Sequence, residues 1–478
     1  MTDPFVVVGG DAAGLSAASK LKREAPSRDV VVFEKGRWVS YAHCGTPYFV
    51  KGSVETLTDL LSLSPEEIDE RGIDLRREAE LTAIQPEERL VTVADADGST
   101  YEQPYRELLV ATGGRASTAP IPGTDADGVF TMHGLDSAAA VRAFLSDPET
   151  FTVESLGGEG FVDEATVSRY GSMEPPERVA VVGGGYVGVE MAEAFSAWDL
   201  DVHLFQRGDR LLSPFGEAVS ERVAPHLEEN GVTLHLGAAV ERLRESDGRV
   251  ASVVCADGTE LDTDAALVGI GIRPNVELVE GTGVELGASG AIAVDEYGRT
   301  SVDGVYAAGD CAEMPHTVTG ESVWVPLGLT ANRAGRAIGQ TVAGDPTPVG
   351  SVAGTAVVKA FDLECGRAGF VDPEAARDAG FDPVSETITA GSRSGYYPGN
   401  AETTVTLVAD RDSGRLLGGS IVGADRAAIR IDTVATALEG GLTVEAVERL
   451  DLGYAPPFSP VWDPVLVAAK VLDGSSSE

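Results

Sequence analysis

The sequence predicts an α/β protein made of two βαβ units and a separate C-terminal α+β region. A strand, a glycine loop, a helix and a second strand follow one another within the first fifty residues, and the same pattern returns at residues 178–207. After about residue 350 the pattern changes to strands without a glycine loop, followed by helices. A chain of 478 residues is long enough for two or three domains.

The composition excludes several functional classes. With 43% hydrophobic residues and regular patterns, the chain is expected to be globular. It carries 76 acidic and 36 basic residues, a net charge of −40, and the acids are spread along its whole length. This spread favours a surface adapted to concentrated salt, as in a halophile, over the binding of a basic partner. Nucleic-acid binding is not expected, because phosphate contacts need clustered Lys and Arg.

The start of the chain and its cysteines bear on location and redox state. The start, MTDPFVVVGG, reads as a strand and not as a signal peptide, and no stretch approaches the ~20 apolar residues of a membrane helix. We therefore expect a soluble, cytoplasmic protein without a membrane partner. Cys44, Cys255, Cys311 and Cys365 form no CxxC pair and no metal-ligand cluster, so neither a disulfide scaffold nor a metal site is predicted.

The first glycine loop is GGDAAG, residues 9–14, a GxGxxG pattern with Asp11 at the middle glycine. A strand precedes it, a helix follows, and Glu34 ends the next strand 20 residues after the loop. This context predicts a Rossmann-like domain with a diphosphate at the helix N-terminus and ribose hydroxyls at Glu34. Asp11 would repel the diphosphate unless it points away. The expected binding residues are Gly9, Gly10, Ala13, Gly14 and Glu34.

The second glycine loop is GGGYVG, residues 183–188, a full GxGxxG match that predicts a second Rossmann-like domain. Gln206 stands where a ribose-binding acid is expected, and Arg207 follows it. A missing carboxylate and an adjacent guanidinium suit a 2′-phosphate, so NADPH is favoured over NADH. The alternative is that Arg207 is only solvent-exposed and both nucleotides bind. The expected binding residues are Gly183, Gly185, Gly188, Gln206 and Arg207.

Two further strand ends complete the first cofactor site. LLVATGG, residues 108–114, reads as a strand entering a tight turn, and TSVDGVYAAGDCAEM, residues 300–314, runs a strand into a Gly-Asp pair. A buried Asp at such a strand end would accept hydrogen bonds from a sugar-like chain, and a helix-capping role is compatible with this. The expected binding residues are Ala111, Thr112, Gly113, Gly309 and Asp310.

Together these motifs resemble the pyridine nucleotide-disulfide oxidoreductase superfamily over nearly the whole chain. The resemblance implies a glutathione reductase-like fold, with FAD on the first glycine loop, NAD(P)H on the second, and a C-terminal domain that forms a homodimer. It also implies that Asp310 meets the FAD ribityl chain. The helix after WVPLGLTANRAGRAIGQ would direct its N-terminus at the flavin pyrimidine ring, where reduction builds negative charge.

The resemblance divides the chain into three domains. Residues 146–177 are acidic, rich in Gly and Pro and weakly periodic, so they are predicted to be an exposed insertion or long linker without chemistry. The first expected domain is a discontinuous FAD domain at residues 1–130 and 270–345. An NAD(P)H domain that carries the insertion is expected at residues 131–269, and a dimerisation domain at residues 346–478.

Cys44 indicates the branch of the superfamily. The residues five before and five after it are Val39 and Phe49, so the chain lacks the CxxxxC pair of glutathione-reductase relatives. It also lacks their C-terminal base, since no His follows His316. Water-forming NADH oxidases and NADH peroxidases carry a histidine in the glycine loop where this chain has Ala12.

The strings around these residues are similar to the coenzyme A-disulfide reductase branch. They are GGDAAGLSAA, CGTPY, YYPGN at residues 396–400, and YAPPFSPVWDPV at residues 454–465. The likeness implies that the Cys44 thiolate attacks coenzyme A disulfide, or a related small disulfide, and forms a mixed disulfide that FAD and NAD(P)H reduce.

The departing thiolate needs a proton donor. By the same likeness Tyr454, Tyr396 and Tyr397 of the partner subunit are candidates, the alternative being that they only pack the interface. His43 receives no role. Three other functions stay open: a reductase of coenzyme A persulfide or polysulfide, an NAD(P)H oxidase, and a non-catalytic flavoprotein that senses nucleotides.

Overall fold

The computed structural model describes residues 3–158 and 160–476. Up to residue 130 the elements are β1 (Phe5–Val8), α1 (Ala12–Glu24), β2 (Val30–Glu34), α2 (Thr46–Lys51), α3 (Pro65–Glu70), β3 (Asp74–Arg77), β4 (Ala79–Gln85), β5 (Leu90–Asp95), β6 (Thr100–Pro104), β7 (Glu107–Val110), β8 (Gly114–Ala116) and β9 (Val129–Phe130).

The middle of the chain continues with α4 (Leu135–Leu145), α5 (Glu164–Gly171), β10 (Arg178–Val182), α6 (Tyr186–Ser196), β11 (Asp201–Gln206), α7 (Glu217–Glu229), β12 (Thr233–Leu236), β13 (Val240–Ser246), β14 (Arg249–Cys255), β15 (Glu260–Asp262), β16 (Ala265–Val268), β17 (Ile272–Pro274), β18 (Val305–Ala307), β19 (Met314–Pro315), β20 (Ser322–Val323) and α8 (Gly328–Val342). The last part contains β21 (Ala356–Ala360), β22 (Leu363–Gly369), α9 (Pro373–Asp378), β23 (Pro383–Gly391), β24 (Glu402–Asp410), β25 (Leu416–Gly423), α10 (Ala427–Glu439), α11 (Val444–Glu448) and α12 (Pro464–Ser476).

The first sheet is parallel, in the order β18-β7-β1-β2-β3. Its central strand, FVVV, is buried along its whole length, as expected of a parallel strand covered on both faces. Phe5 and Val7 pack towards α1 and α8, whereas Val6 and Val8 pack towards the antiparallel sheet β4-β5-β6. Strand β18 comes from late in the chain, so the first domain is closed by a distant segment.

Helices α1 and α8 approach each other through glycine. A Cβ at Gly335 would lie 2.1 Å from the carbonyl oxygen of Ala13, and one at Gly339 would lie 2.3 Å from that of Ala17. Only glycine permits this backbone contact, because any side chain would overlap the carbonyl groups. The contact fixes α8 against the helix that follows the first glycine loop.

The second sheet is also parallel, in the order β12-β11-β10-β16-β9. Strand β9 was expected to end the first domain, but Val129 and Phe130 pair with Ala266 and Leu267 of the second sheet. The second unit therefore begins before residue 131, because the linking chain adds an edge strand to the sheet that it enters.

The C-terminal region forms an antiparallel sheet in the order β21-β22-β25-β24-β23, with α10 and α12 packed against it. The strands expected at TAVVKAF, ETTVTLVAD and LLGGSIVG are confirmed as β21, β24 and β25. The α/β fold with an additional α+β domain is thus confirmed.

The prediction for residues 146–177 is wrong in one respect. Residues 164–171 form α5, and Leu156, Val167 and Tyr170 are buried in the core of the second domain. The Tyr170 ring lies 5.0 Å from that of Phe130 and its hydroxyl accepts a hydrogen bond from Gly128 N. Because its few apolar residues are spaced irregularly, the segment reads as a linker, although those residues dock it onto the domain.

Candidate active site

The first glycine loop forms a cradle between β1 and α1. Gly9 has a φ of +106°, and a Cβ there would lie 2.1 Å from the carbonyl oxygen of Ala111. A Cβ at Gly14 would lie 2.0 Å from the carbonyl oxygen of Gly9. Ala13 is buried in the first turn of α1. The loop therefore brings its backbone and the N-terminus of α1 to one point, which suits a diphosphate.

Glu34 lies beside this loop at the end of β2. One carboxylate oxygen accepts a hydrogen bond from Gly10 N at 2.9 Å, and the other accepts one from Gly36 N at 2.7 Å. Burial raises the pKa of Glu34, and the two backbone donors partly oppose that rise. Two backbone donors thus hold the carboxylate beside the first glycine loop, and ribose binding at Glu34 stays a prediction.

The two other predicted strand ends meet at the same edge of the first sheet. Ala111 continues β7, Thr112 Oγ1 donates to the Asn275 carbonyl at 2.7 Å, and Gly113 has a φ of +66°. Gly309 packs on Ala13, since a Cβ there would lie 3.2 Å from the Ala13 Cβ.

Asp310, the next residue, is a carboxyl group withdrawn from water. Burial raises its pKa, while the charges of His43 and His133 oppose that rise. Its carbonyl oxygen accepts a hydrogen bond from Trp324 Nε1 at 2.8 Å.

Cys44 lies in the 3₁₀ turn His43–Gly45 that leads into α2, and its neighbour His43 contacts Asp11 of the first glycine loop. It is exposed, whereas Cys255, Cys311 and Cys365 are buried. The core position predicted for Cys255 is thereby confirmed. Partial desolvation raises the pKa of the Cys44 thiol, and the charges of the nearby carboxylates Glu190 and Asp310 raise it further.

An imidazole–carboxylate pair that the sequence did not reveal joins this turn to the glycine loop. His43 Nε2 lies 3.1 Å from Asp11 Oδ2, and His43 Nδ1 lies 3.2 Å from the His133 carbonyl oxygen. Burial disfavours the charged ring, but the hydrogen bond and charge of Asp11 hold the pKa of His43 above its ordinary value. Asp11 thus directs one carboxylate oxygen at the imidazole of His43. Its other oxygen is buried without a hydrogen-bond partner among the described residues.

A second pair that the sequence did not reveal joins α2, the helix after Cys44, to α6. The Tyr48 hydroxyl of α2 donates to Glu190 Oε1 of α6 at 2.9 Å, across a separation of 142 positions. Burial raises the pKa of Glu190 to about 7, the hydrogen bond from Tyr48 lowers it, and the negative charge of Glu193 raises it. A separation of this length leaves no local pattern from which the pair could be read.

Glu193 lies one turn further along α6 and joins three domains. It accepts hydrogen bonds from Lys51 Nζ at 2.6 Å, from Lys359 Nζ, and from Phe361 N at 2.8 Å. Burial disfavours its charge, but the two lysines hold its pKa below the ordinary value. Two of the six lysines of the chain thus meet on one carboxylate that is 4% exposed.

The second glycine loop repeats the first. A Cβ at Gly188 would lie 1.8 Å from the carbonyl oxygen of Gly183, whereas one at Gly185, which caps α6, would meet nothing within 4 Å. Gln206 Oε1 accepts a hydrogen bond from Gly184 N at 3.1 Å. Arg207 is exposed beside it. The open space at Gly185 suits a phosphate, and Gln206 occupies the place predicted from the motif.

The three predicted tyrosines all lie in the C-terminal domain. Tyr396 and Tyr454 are 77% and 48% exposed, and Tyr397 is half-buried. No hydrogen bond recorded among the described residues joins any of them to Cys44 of the same chain. The exposed apolar residues Phe458, Val461 and Trp462 follow Tyr454.

The fold, the two nucleotide cradles and the accessible cysteine define a two-dinucleotide redox protein. The family of pyridine nucleotide-disulphide oxidoreductases matches residues 3–326, and the dimerisation domain of that family matches residues 355–464. The chain belongs to this family. Its members use FAD and NAD(P)H, and the two glycine cradles described above fit these dinucleotides.

Three relatives illustrate the range of the family. An NAD(P)H coenzyme A polysulfide/persulfide reductase of Pyrococcus horikoshii is 39% identical over 475 residues, 99% of each chain. A coenzyme A disulfide reductase of Staphylococcus haemolyticus is 25% identical and covers 95% of this chain and 96% of its own. The solved structure of an NAD-dependent persulfide reductase from A. fulgidus is 33% identical, with a TM-score of 0.90, over 99% of this chain and 83% of its own.

The chain is therefore an NAD(P)H-dependent flavin oxidoreductase whose dimerisation domain indicates a homodimer. No helix among the described residues is long and apolar enough to cross a membrane.

Proposed function

We propose that this flavoenzyme reduces coenzyme A disulfide, or a close relative of it, through Cys44 as the redox-active cysteine. The observation that carries the proposal is that Cys44 is exposed, next to the His43 that contacts Asp11 of the first glycine loop, while the three other cysteines of the chain are buried. None of these three is placed to form an internal disulfide with Cys44, so the second sulfur of the proposed exchange belongs to the substrate.

The chain's own residues account for the steps at sulfur. The Cys44 thiolate attacks one sulfur of the substrate, the substrate's S–S bond breaks, and a first thiol leaves. FAD, held in the first cradle, would supply the two electrons of the NAD(P)H hydride. Cleavage of the Cys44–substrate disulfide would take up these two electrons and one proton, release the second thiol and restore the Cys44 thiolate.

FAD would be held by the residues of the first cradle, and NAD(P)H by those of the second. Asp310 and Glu34 would accept hydrogen bonds from sugar hydroxyls, and Asp11 would be neutralised by His43. NADPH is the preferred donor in this proposal, because Arg207 is an exposed guanidinium beside an uncharged Gln206.

Reduction of coenzyme A persulfide or polysulfide is the second candidate. The relatives named for persulfide are 39% and 33% identical to this chain, against 25% for the named disulfide reductase. A persulfide offers the same S–S bond to the same thiolate, so the residue roles are unchanged.

The test is anaerobic NADPH oxidation at molar KCl with coenzyme A disulfide or coenzyme A persulfide, comparing the wild type with Cys44→Ser. We expect turnover with a coenzyme A substrate and its loss in the variant. The ratio of the two rates distinguishes the two candidates. Turnover that requires oxygen and survives the substitution would replace the proposal by an NAD(P)H oxidase. Negligible turnover with every acceptor would favour a nucleotide-sensing flavoprotein.

A further inference from the structure

We infer that Tyr48 and Glu190 form a proton-transfer pair that protonates the thiolate leaving from the Cys44 site. The inference rests on the proposed disulfide exchange and names a proton source within the same subunit, in addition to the candidate tyrosines of the partner subunit. Reduction of a disulfide by NAD(P)H gives two thiols, consumes the hydride and takes up one further proton. The site must therefore draw one proton from solvent in each turnover and deliver it at sulfur.

The position of the pair relative to Cys44 supports the inference. Tyr48 follows Cys44 by four residues, in the helix that the 3₁₀ turn enters. The charge of Glu190 acts on Cys44, and the charge of Cys44 acts on Tyr48, so the three groups share one electrostatic site. Tyr48 donates directly to Glu190, and both residues are half-buried. In the proposed order of proton transfer, the Tyr48 phenol therefore stands between the Glu190 carboxyl group and the reacting sulfur.

The surroundings of Glu190 set its protonation. Tyr48 of α2 donates a hydrogen bond to Glu190, Cys44 of the preceding turn feels the charge of Glu190, and the charge of Lys359 on β21 acts on Glu190. On α6 itself, the charge of Glu193 is held in place by the two lysines. Strands β10 and β11 meet this helix with apolar residues of the common core, among them Val181 and Leu204.

These surroundings make the Glu190 carboxyl group an acid whose pKa suits proton donation near neutral pH. Burial raises the pKa of Glu190 to about 7, so the group is protonated below that pH and gives up its proton above it. A proton donor acts best when its pKa lies near the working pH. When Glu190 is protonated, the hydrogen bond between the two residues reverses and the Glu190 carboxyl group donates to the phenol oxygen. The Tyr48 hydroxyl then gives its proton to the departing thiolate, and Glu190 passes its own proton to the phenol oxygen. Solvent then reprotonates Glu190.

The experiment compares leaving groups that differ in their need for a proton. An alkyl thiolate is a strong base and leaves better when protonated, whereas the thiolate of an aromatic nitrobenzoate disulfide leaves without a proton. Anaerobic kcat at saturating NADPH is measured with coenzyme A disulfide, hydroxyethyl disulfide and dithiobis(nitrobenzoate), over a pH series. The wild type is compared with Glu190→Gln and Tyr48→Phe.

We expect both variants to lose about a hundredfold in kcat with the two alkyl disulfides below pH 7, and less than about twofold with the aromatic one. In the wild type the ratio of alkyl to aromatic turnover should decrease as the pH rises through about 7, and Glu190→Gln should lack that decrease. The ratio is used because the Cys44 thiolate, which increases with pH, attacks both kinds of disulfide. The matched controls are Tyr105→Phe, a buried tyrosine whose hydroxyl has no partner among the described residues, and the exposed Glu221→Gln. Both should behave as wild type.

Equal losses with all three disulfides would overturn the inference, because they would indicate a role in folding or in hydride delivery. Unchanged alkyl turnover would overturn it as well. If the wild type reduces hydroxyethyl disulfide but not coenzyme A disulfide, the proposed substrate fails while the proton-transfer pair is still tested on the former. A wild type that reduces none of the three overturns both.

Discussion

The reactivity of Cys44 is controlled first by desolvation and then by charge. Desolvation raises the pKa of its thiol, and the charges of Glu190 and Asp310 raise it further. These surroundings favour the thiol over the thiolate.

Removing the charge of Glu190 should lower the pKa of Cys44. The Glu190 carboxylate raises that pKa, so Glu190→Gln removes a cause of the rise and increases the thiolate fraction. We expect alkylation of Cys44 by iodoacetamide at about pH 8 to become about threefold faster, since one pKa unit is tenfold in thiolate. Glu221→Gln serves as control. A slower alkylation in Glu190→Gln would contradict the sign of this interaction.

Arg207 should determine the choice of nicotinamide donor. Its guanidinium is exposed next to Gln206, where a carboxylate would reject a 2′-phosphate. We expect Arg207→Ala to lower kcat/KM for NADPH about tenfold and to leave that for NADH within about twofold, because one charge-assisted hydrogen-bond site is lost. Arg210→Ala is the matched control, as Arg210 is already paired with Glu217 at 2.7 Å. Equal losses for both nucleotides would show that Arg207 has no role in the preference.

At the scale of elements, two glycines of the second loop are expected to have different roles, Gly188 in packing and Gly185 in nucleotide binding. The Cβ of an alanine at position 188 would overlap the Gly183 carbonyl oxygen, whereas the same change at Gly185 meets open space. We expect Gly188→Ala to destabilise the protein by about 3 kcal/mol or more, and Gly185→Ala to leave the unfolding temperature unchanged while raising KM for NADPH. Thermal unfolding and steady-state kinetics distinguish the two. Equal unfolding temperatures would refute the packing role of Gly188.

Local elements could be predicted from the sequence because their signals are local. Runs of Val predicted the central strands, and the glycine loops predicted where α1 and α6 begin. The contacts of the site could not be predicted in the same way. Tyr48 and Glu190 lie 142 positions apart, and the His43–Asp11 pair joins two loops whose relative placement depends on the whole domain. The sequence offered one signal for the His43–Asp11 pair: an acid at a glycine position of the first loop, and a histidine beside Cys44 that had no role.

At the scale of the whole molecule, we expect each active site to use both subunits. Tyr454 does not bond to Cys44 within one chain, and it adjoins exposed apolar residues of the dimerisation domain. Co-purified heterodimers test this. A dimer of Cys44→Ser with Tyr454→Phe should keep about half of the wild-type kcat, because one site then retains both residues. A dimer of wild type with the double variant should be clearly less active than this dimer, because neither of its sites retains both residues. Equal activities of the two heterodimers would contradict a shared site.

The charge of the whole molecule should make its stability depend on salt. With a net charge of −40, the acidic side chains repel one another at low ionic strength. Salt screens this repulsion, because the Debye length falls to ~3 Å at about 1 M salt. We expect the unfolding temperature to rise by about 10 °C or more between about 0.1 and 2 M KCl. Sucrose at equal osmolality is the control. A flat response would contradict the salt-adapted surface predicted from the composition.

The pairing of Lys51 and Lys359 on Glu193 has a practical consequence for labelling chemistry. With only six lysines in the chain, an amine-reactive reagent has few targets, and Lys35 is exposed whereas these two amines are held by a carboxylate between domains. The ratio of their modification to that of Lys35, read by mass spectrometry, reports how tightly the three domains are docked. The reactivity of these two native lysines therefore reports the arrangement of the domains, and no probe has to be attached to the protein.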